Sequence, residues 1–443
     1  MPIISRSPVY NLKAVLNETG LKADVLRAWE RRYELPKPQR SSGGHRLYSE
    51  HDIETVKWLR TRQTEGLSIS RAVELWKEII EAGHDPLVEN SATGALFIPD
   101  HMPVPDTRKE FLRQKWVEAN LAFDGMKADE ILDLAFAIYP VETVCSSILR
   151  HGISDIGESW YTNQASVQQE HFASAMASRR LETLITATPR PTRQKTILVG
   201  CPPGEQHVMS ILLLNLFLRR RGLGVVYLGA DIPLERLEET SAAIQPDLVI
   251  LAAQQLSTAA TLQSAALMFL DQGIPLAYGG LIFNRLPRLC EHLPAHFLGD
   301  TLDEAIPVIE QLVASPRLIS TAIRADEIYQ DLVRLYRDKR PLIEIELLGN
   351  LQANNWYAEH IGEANTFFGN GLSAALELGD PAFLEADLEW VKRLLTGHQM
   401  PEERLHSYMA AYCRSVDKVM GDAGASITNW IGSYIAQNET AHP

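Results

Sequence analysis

The stretch Thr196-Ile197-Leu198-Val199-Gly200-Cys201-Pro202-Pro203-Gly204-Glu205-Gln206-His207-Val208-Met209-Ser210 decides how the middle of this chain folds. A short β-rich run stops in a Pro/Gly turn, and an apolar run of helix length, Ile211-Leu212-Leu213-Leu214 onward, follows it. The same alternation recurs downstream. Val225 to Gly229, Leu248 to Ala253, Ile274 to Tyr278 and His296 to Gly299 are β-rich, and amphipathic helical segments separate them. This pattern predicts a parallel α/β sheet over residues 194–315. In such sheets ligands bind at the carboxyl ends of the strands, which is where the Glu205-Gln206-His207 loop falls. An acidic residue two positions before a histidine can accept its second N–H, fixing the tautomer and raising its basicity toward a metal. No second His, Cys or carboxylate stands at chelating spacing, so a metal needing one protein ligand fits better than bare zinc or iron.

Working outward, residues 108–190 carry apolar positions at helical spacing, such as Ile131, Leu132, Leu134, Ala135 and Ile138, and predict a helical bundle closed by Pro191. Residues 83–107 are rich in Pro, Gly, Asn and Ser and read as a linker. Residues 8–82 read as short helices around a basic Gly/Pro-rich turn, Pro36 to Gly44, and form a small separate domain. Beyond the sheet, residues 323–437 return to amphipathic helix, as in Pro381 to Leu395, with stops expected at Gly349, Gly379-Asp380-Pro381 and Met400-Pro401. Their role is open between a packing or oligomerisation module and a second sensory or protein-binding domain. The expected fold class is thus multidomain α and α/β: a winged helix-turn-helix, a helical bundle, a Rossmann-like parallel sheet and a C-terminal all-α region.

Charge divides the chain in the same way. The 443 residues sum to a net charge of -14, which taken alone argues against a polyanionic partner. Residues 1–80 nevertheless hold 14 Lys+Arg against 10 Asp+Glu, while the remainder holds 28 against 46. A basic head sits on an acidic body. The cysteines Cys145, Cys201, Cys290 and Cys413 form no CxxC pair, so neither a disulfide framework nor a zinc site is suggested and a reducing compartment is expected. No signal peptide or apolar run of membrane-spanning length is visible, and the expected location is the cytoplasm, with no membrane partner.

In the head, a helix from Asn11 to Leu16, a turn through Thr19-Gly20 and a second helix from about Lys22 to Tyr33 fit a helix-turn-helix followed by a wing. Lys22, Arg27 and Arg31 on or beside the second helix, and Arg40, His45, Arg46 and Tyr48 in the wing, are the expected DNA contacts. A guanidinium fork grips phosphate or a guanine edge bidentately. Trp29 and Leu26 are expected in the core. The ordered string Val25 to Tyr33, Pro36, Arg40 and Gly44-His45-Arg46-Leu47-Tyr48 resembles the MerR family of winged-helix DNA-binding domains. The resemblance implies a homodimer on a pseudo-palindromic double-stranded operator.

The Glu205-x-His207 segment resembles the Asp/Glu-x-His-x-x-Gly signature of cobalamin-binding Rossmann-like domains. That resemblance implies that His207 binds cobalt from below in place of the cofactor's own base. Gln255-Leu256-Ser257 and Gly279-Gly280 follow in the family's order. In the family these loops make room for the displaced nucleotide tail. This chain departs at Ser210, where the family has Gly, and the serine crowds that channel.

Gly157-Glu158-Ser159-Trp160, nine residues, then Glu170-His171 is similar to the Trp-x9-Glu-His motif of CarH/LitR-type light-dependent regulators. The resemblance implies that Trp160 shields the upper ligand and that Glu170 and His171 supply hydrogen bonds. Where photochemical members carry a second His, this chain has Tyr161, a poor cobalt ligand. The cofactor residues implied are therefore Trp160, Tyr161, Glu170, His171, Glu205, His207, Ser210, Ser257, Gly279 and Gly280. Adenosylcobalamin is the expected cofactor, with methylcobalamin as the alternative.

The function implied is a non-enzymatic, light-responsive repressor that changes oligomer state, dimer or tetramer, or operator affinity when the upper ligand is lost. One rival is a corrinoid enzyme or methyl carrier, for which the chain has no room for a substrate barrel. The other is a MerR-type regulator governed by a protein partner or by the C-terminal helices, with cobalamin structural or absent.

Overall fold

The computed structural model describes residues 5, 7–40, 44, 46–64, 69–81, 87, 105–352 and 361–439. The linker expected at 83–107 lies almost wholly outside them. Two compact units are present, Met1–Ile156 with Gln168–Thr188, and Gly157–Val167 with Pro189–Pro443.

In the first unit, strand β1 (Tyr10–Asn11) leads into helix α1 (Leu12–Thr19), with helix α2 (Ala23–Tyr33) after the turn. Asn11 caps α1 by accepting from the Ala14 amide at 3.0 Å, and Gly20 closes it at φ 63°, a left-handed turn that glycine adopts at little cost. Strands β2 (Gln39–Arg40) and β3 (Arg46–Tyr48) complete a three-stranded antiparallel wing of order β1-β3-β2. Helices α3 (Glu50–Thr64) and α4 (Ile69–Glu81) follow, and Leu26, Trp29, Val56, Leu59 and Trp76 are buried. The winged helix-turn-helix therefore forms with helix bounds one or two residues from those its sequence predicts, except that α1 runs on through Thr19.

The same unit contains the bundle helices α5 (Pro105–Leu121), α6 (Gly125–Ile138) and α7 (Val141–Val144), a π-helical turn at Cys145–Arg150, and helices α8 (His151–Tyr161) and α9 (Val167–Ala187). Residues 157–161 of α8 belong to the second unit. Trp116, Leu132, Ala135 and Phe136 are buried, whereas Leu134 faces outward.

The second unit is built on β4 (Thr196–Gly200), α10 (Met209–Arg220), β5 (Gly224–Gly229), α11 (Leu237–Ile244), β6 (Leu248–Ala252), α12 (Leu256–Asp271), β7 (Leu276–Gly279), α13 (Leu281–Arg285), β8 (His296–Phe297) and α14 (Leu302–Ala314). The strands form one sheet of order β5-β4-β6-β7-β8, and every pair is parallel. The chain winds to one side of β4 and then to the other, so the topological switch lies between β4 and β6. Crevices for ligands open at the carboxyl ends of such a strand pair.

The C-terminal helices α15 (Glu327–Gln352), α16 (Ile361–Leu378), α17 (Glu385–Gly397), α18 (Glu403–Met420) and α19 (Ala425–Glu439) complete this unit. Gly349 does not stop α15, which runs on to Gln352 and also contains Pro341. These helices read as a module apart, but they share one continuous apolar core with the sheet's helices, in which Leu262 and Phe269 of α12 join Phe368, Leu372, Tyr408 and Tyr412. Helix α12 packs along α16. Among the described residues no helix is long and apolar enough to cross a membrane.

A cavity of about 410 Å³ between the start of α12 and helices α16 and α17 is lined by Ser257, Thr366, Phe367, Asn370 and Asp387. Burial pushes the Asp387 carboxyl up to about 6, against a smaller opposing pull from Arg285. Its folded pKa thus lies above the unfolded value, so the carboxyl favours the fold at low pH and costs stability as pH rises through 6. Asp387→Asn is expected to raise unfolding free energy at pH 8 by about 1–3 kcal/mol and to change little near pH 3. Urea denaturation at the two pH values checks this.

Candidate functional site

Glu205 and His207 lie in the loop after β4, at the switch point. The Glu205 side chain is 1% exposed, whereas the His207 side chain is 61% exposed. A carboxylate buried this deeply needs donors on both oxygens. Oε1 accepts from the His207 backbone amide at 2.9 Å and pairs with His207 Nδ1 at 2.6 Å. Oε2 accepts from the Gln254 amide at 2.6 Å and the Thr258 hydroxyl at 2.7 Å. Burial alone would raise the Glu205 pKa, but hydrogen bonds from the His207 side chain, the Gln254 and His207 amides and Thr258 outweigh it and hold the group below the usual carboxylate range. Glu205 is therefore an anion at neutral pH and selects the imidazole tautomer that donates through Nδ1, with the basic lone pair on Nε2.

The neighbourhood offers little competition as a donor set. Burial, reinforced by the Glu205 charge, pushes the Cys201 thiol up to about 12, so it stays protonated. One imidazole nitrogen on an anionic support suits a metal whose remaining positions are already filled by a macrocycle.

The loops from β6 and β7 close around this pair. Thr258 in the first turn of α12 also caps that helix with Gln255. Gln254 donates from Nε2 to the Ser210 hydroxyl at 3.2 Å and accepts at Oε1 from the Leu281 amide at 2.9 Å. Ser257 instead lines the cavity beside α16. Gly280 has φ 127°, and a Cβ there would run into the Ala253 carbonyl, so only glycine lets the β7 turn approach β6 this closely. Around Gly279 the space is open. Gln254 is the residue that sequence reading missed. Its neighbours Gln255-Leu256-Ser257 carried the family likeness, and no local pattern marks a glutamine that bridges three loops.

Trp160 and Tyr161 end α8, both half-buried, with ring centroids 4.9 Å apart. The Tyr161 hydroxyl accepts from Trp390 Nε1 of α17 at 2.7 Å. The Trp390 ring in turn meets Tyr161 edge-on and stacks on Phe367. Gly397 lies against the Tyr161 carbonyl, where a Cβ could not fit. In the other unit, Glu170 Oε2 pairs with His171 Nδ1 at 2.7 Å and its Oε1 accepts from Ser174 at 2.6 Å, with the His171 side chain 75% exposed.

In the head, Lys22, Arg27, Arg31 and Arg40 are exposed, with Arg27 and Arg31 on α2. Two wing residues behave otherwise. Tyr48 is fully buried, and its hydroxyl donates to Glu30 Oε1 at 2.5 Å. It cannot reach DNA from there, so its expected DNA contact is corrected to a core tie between wing and α2. Arg46 is half-exposed and pairs through Nε with Glu30 Oε2 at 2.9 Å. His45 lies outside the described residues. The Glu30 partner was not anticipated, because its sequence position on an Arg-rich helix reads as surface charge.

Two family models match parts of the chain. Residues 10–79 match the model of the MerR HTH family regulatory proteins, and residues 112–185 match a B12 binding domain. The HTH-type transcriptional repressor CarH of Myxococcus xanthus is 29% identical over 290 residues, covering 65% of this chain and 94% of that protein. The repressor CarA of the same organism is 31% identical over 243 residues, covering 54% of this chain and 75% of that protein. The HTH-type transcriptional regulator MlrA of Salmonella typhimurium is 40% identical over 60 residues, 13% of this chain and 25% of that protein. The chain belongs to the family of the HTH-type transcriptional repressors CarA and CarH and joins a MerR-type helix-turn-helix to a B12-binding domain.

Proposed function

We propose that the chain is a light-responsive repressor that holds adenosylcobalamin on His207 and changes oligomer state or operator affinity when the upper ligand is lost. The observation that carries this is the buried Glu205 carboxylate, whose four hydrogen bonds pre-set His207 as a single nitrogen donor. A bound alkylcobalamin supplies a light-labile cobalt–carbon bond. His207 would hold the cobalt through its Nε2, and Glu205 would orient the imidazole and raise its basicity. Trp160 would offer an apolar ring to the bound group, and the family likeness gives Glu170 and His171 hydrogen-bonding roles. Lys22, Arg27, Arg31 and Arg40 supply the cationic surface that faces the operator. Self-association as a dimer or tetramer would put two or more heads on one operator and raise affinity through effective concentration, offsetting the acidic body.

The hydrogen bond between Tyr161 and Trp390 favours a second reading of the switch. The residue at the second-His position is engaged by α17, so the C-terminal helices would receive any displacement at Trp160, and a protein partner on those helices could set the same equilibrium.

Purification in darkness with adenosylcobalamin, followed by absorption spectra, molecular mass and operator binding before and after illumination, tests the proposal. A light-dependent change in mass or operator affinity is expected; bound cofactor with neither change would remove the light response. Tyr161→Phe is expected to alter the dark-to-light difference while leaving corrinoid affinity within about twofold. An unaltered difference would detach the C-terminal helices from the switch.

A further inference from the structure

Away from the cofactor crevice, the second unit holds another cavity of about 310 Å³ between the middle of α12, the first half of α15 and the end of α16. Gln263 and Leu267 line it from α12, beyond Thr258 on the same helix, which puts it roughly 8–14 Å along the helix axis from the Glu205 loop. The chain as a whole is acidic, yet this lining is basic: Arg324, Arg334 and Arg337 stand against one carboxylate, Glu377. Arg337 pairs with Glu377, which ties α15 to α16 and orients the guanidinium while leaving the side chain half-exposed. Arg334 pairs with Asp331 at 3.1 Å, but both side chains are mostly exposed, and a surface pair of this kind contributes little. Arg324 has no carboxylate partner among the described residues, and its segment is pinned on both sides. The Ile323 amide donates to the Glu291 carbonyl at 2.8 Å, and Gln330 Nε2 donates to the Ala325 carbonyl at 3.2 Å. Leu267, Pro294 and Val333 supply apolar lining.

We infer that this cavity binds a small organic phosphate, with the arginines on the phosphoryl oxygens and the organic body against the apolar lining. Guanidinium forks match phosphate geometry bidentately, and three of them offer more donors than a single carboxylate can accept. A phosphoryl group brings three terminal oxygens and up to two charges to the same point. The cavity volume falls at the small end of the range for organic ligands, which leaves room beyond the phosphoryl group itself. A ligand seated there touches α12 of the sheet together with α15 and α16, so the C-terminal helices gain a small-molecule site of their own. The inference is independent of corrinoid binding at His207.

Isothermal titration of the full chain with AMP, pyrophosphate, adenosine and citrate tests this. AMP and pyrophosphate are expected to bind with Kd below about 1 mM, and adenosine and citrate at least about tenfold more weakly. Arg324→Ala is expected to weaken AMP binding roughly tenfold and Arg324→Glu to abolish it, both with an unchanged melting temperature, because Arg324 has no ion pair to lose. Arg414→Ala, at an exposed arginine of α18 outside the cavity, is expected to leave AMP affinity within about twofold. Saturating adenosylcobalamin is also expected to leave it unchanged. Failure of both AMP and pyrophosphate to bind, or AMP affinity unaltered in Arg324→Glu, overturns the site. Citrate binding as tightly as AMP overturns the choice of phosphate, and loss of AMP binding under saturating adenosylcobalamin moves the anion to the cofactor crevice and overturns the inference.

Discussion

His207→Ala is expected to lower corrinoid affinity by at least about a hundredfold, and Glu205→Gln by roughly tenfold to a hundredfold, the range typical of a partner that orients a metal ligand. The alanine removes the single nitrogen donor outright. The glutamine is nearly isosteric, and its effect comes from hydrogen-bond polarity. Both Glu205 oxygens face donors, Oε1 the two His207 nitrogens and Oε2 the Gln254 amide and Thr258 hydroxyl. A carboxamide must turn its NH2 toward one of those pairs, leaving a donor against a donor and releasing the imidazole from its tautomer. Absorption titration in darkness measures both; affinity unchanged in His207→Ala would end the lower-ligand assignment.

The Glu205 pair also has a pH signature. Its pKa lies below the unfolded value, so its contribution to stability is present above the ordinary carboxylate range and is lost as pH falls through the lowered pKa. Urea stability of Glu205→Gln should trail the unaltered chain at neutral pH, and the gap should close only as pH falls through the lowered Glu205 pKa.

Arg27→Ala and Arg31→Ala are each expected to weaken operator binding by about fivefold to a hundredfold, corresponding to about 1–3 kcal/mol for a base contact, while leaving the stability of the head unchanged. Both side chains are exposed on α2. A phosphate contact instead of a base contact would show as a smaller salt dependence in the variant and an even loss across sequences. Anisotropy titrations at several salt concentrations separate the two cases, and unchanged affinity in both variants would remove α2 as the reading helix.

Arg46→Ala and Tyr48→Phe should differ from this pair. Each substitution removes a hydrogen bond donated to the Glu30 carboxylate, so much of its effect should appear as lost thermal stability of the head.

The alternation of β-rich and helical runs, the basic second helix of the head and the Glu-x-His loop were legible in the sequence because each is a short-range pattern. Strand period, helix period and turn chemistry are properties of adjacent residues. The pairing of Glu205 with His207, two residues apart, belongs to this class, and so does the burial of Leu26 and Trp29 on one face of α2. Tertiary structure alone decided which partner each polar group found. Trp390 comes to Tyr161 from 229 residues away, Gln254 to Glu205 from 49, and Tyr48 turns inward to Glu30 from 18. The C-terminal helices looked like a separate module because amphipathicity shows that a face will be buried without showing against what; the fold set that face on α12 of the sheet. What a sequence of this kind determines by itself is which groups must be satisfied. Which groups satisfy them depends on packing that brings distant segments together, and here that packing leaves Arg27 and Arg31 exposed, turns Tyr48 inward and ties Gln254 to Glu205, Ser210 and Leu281.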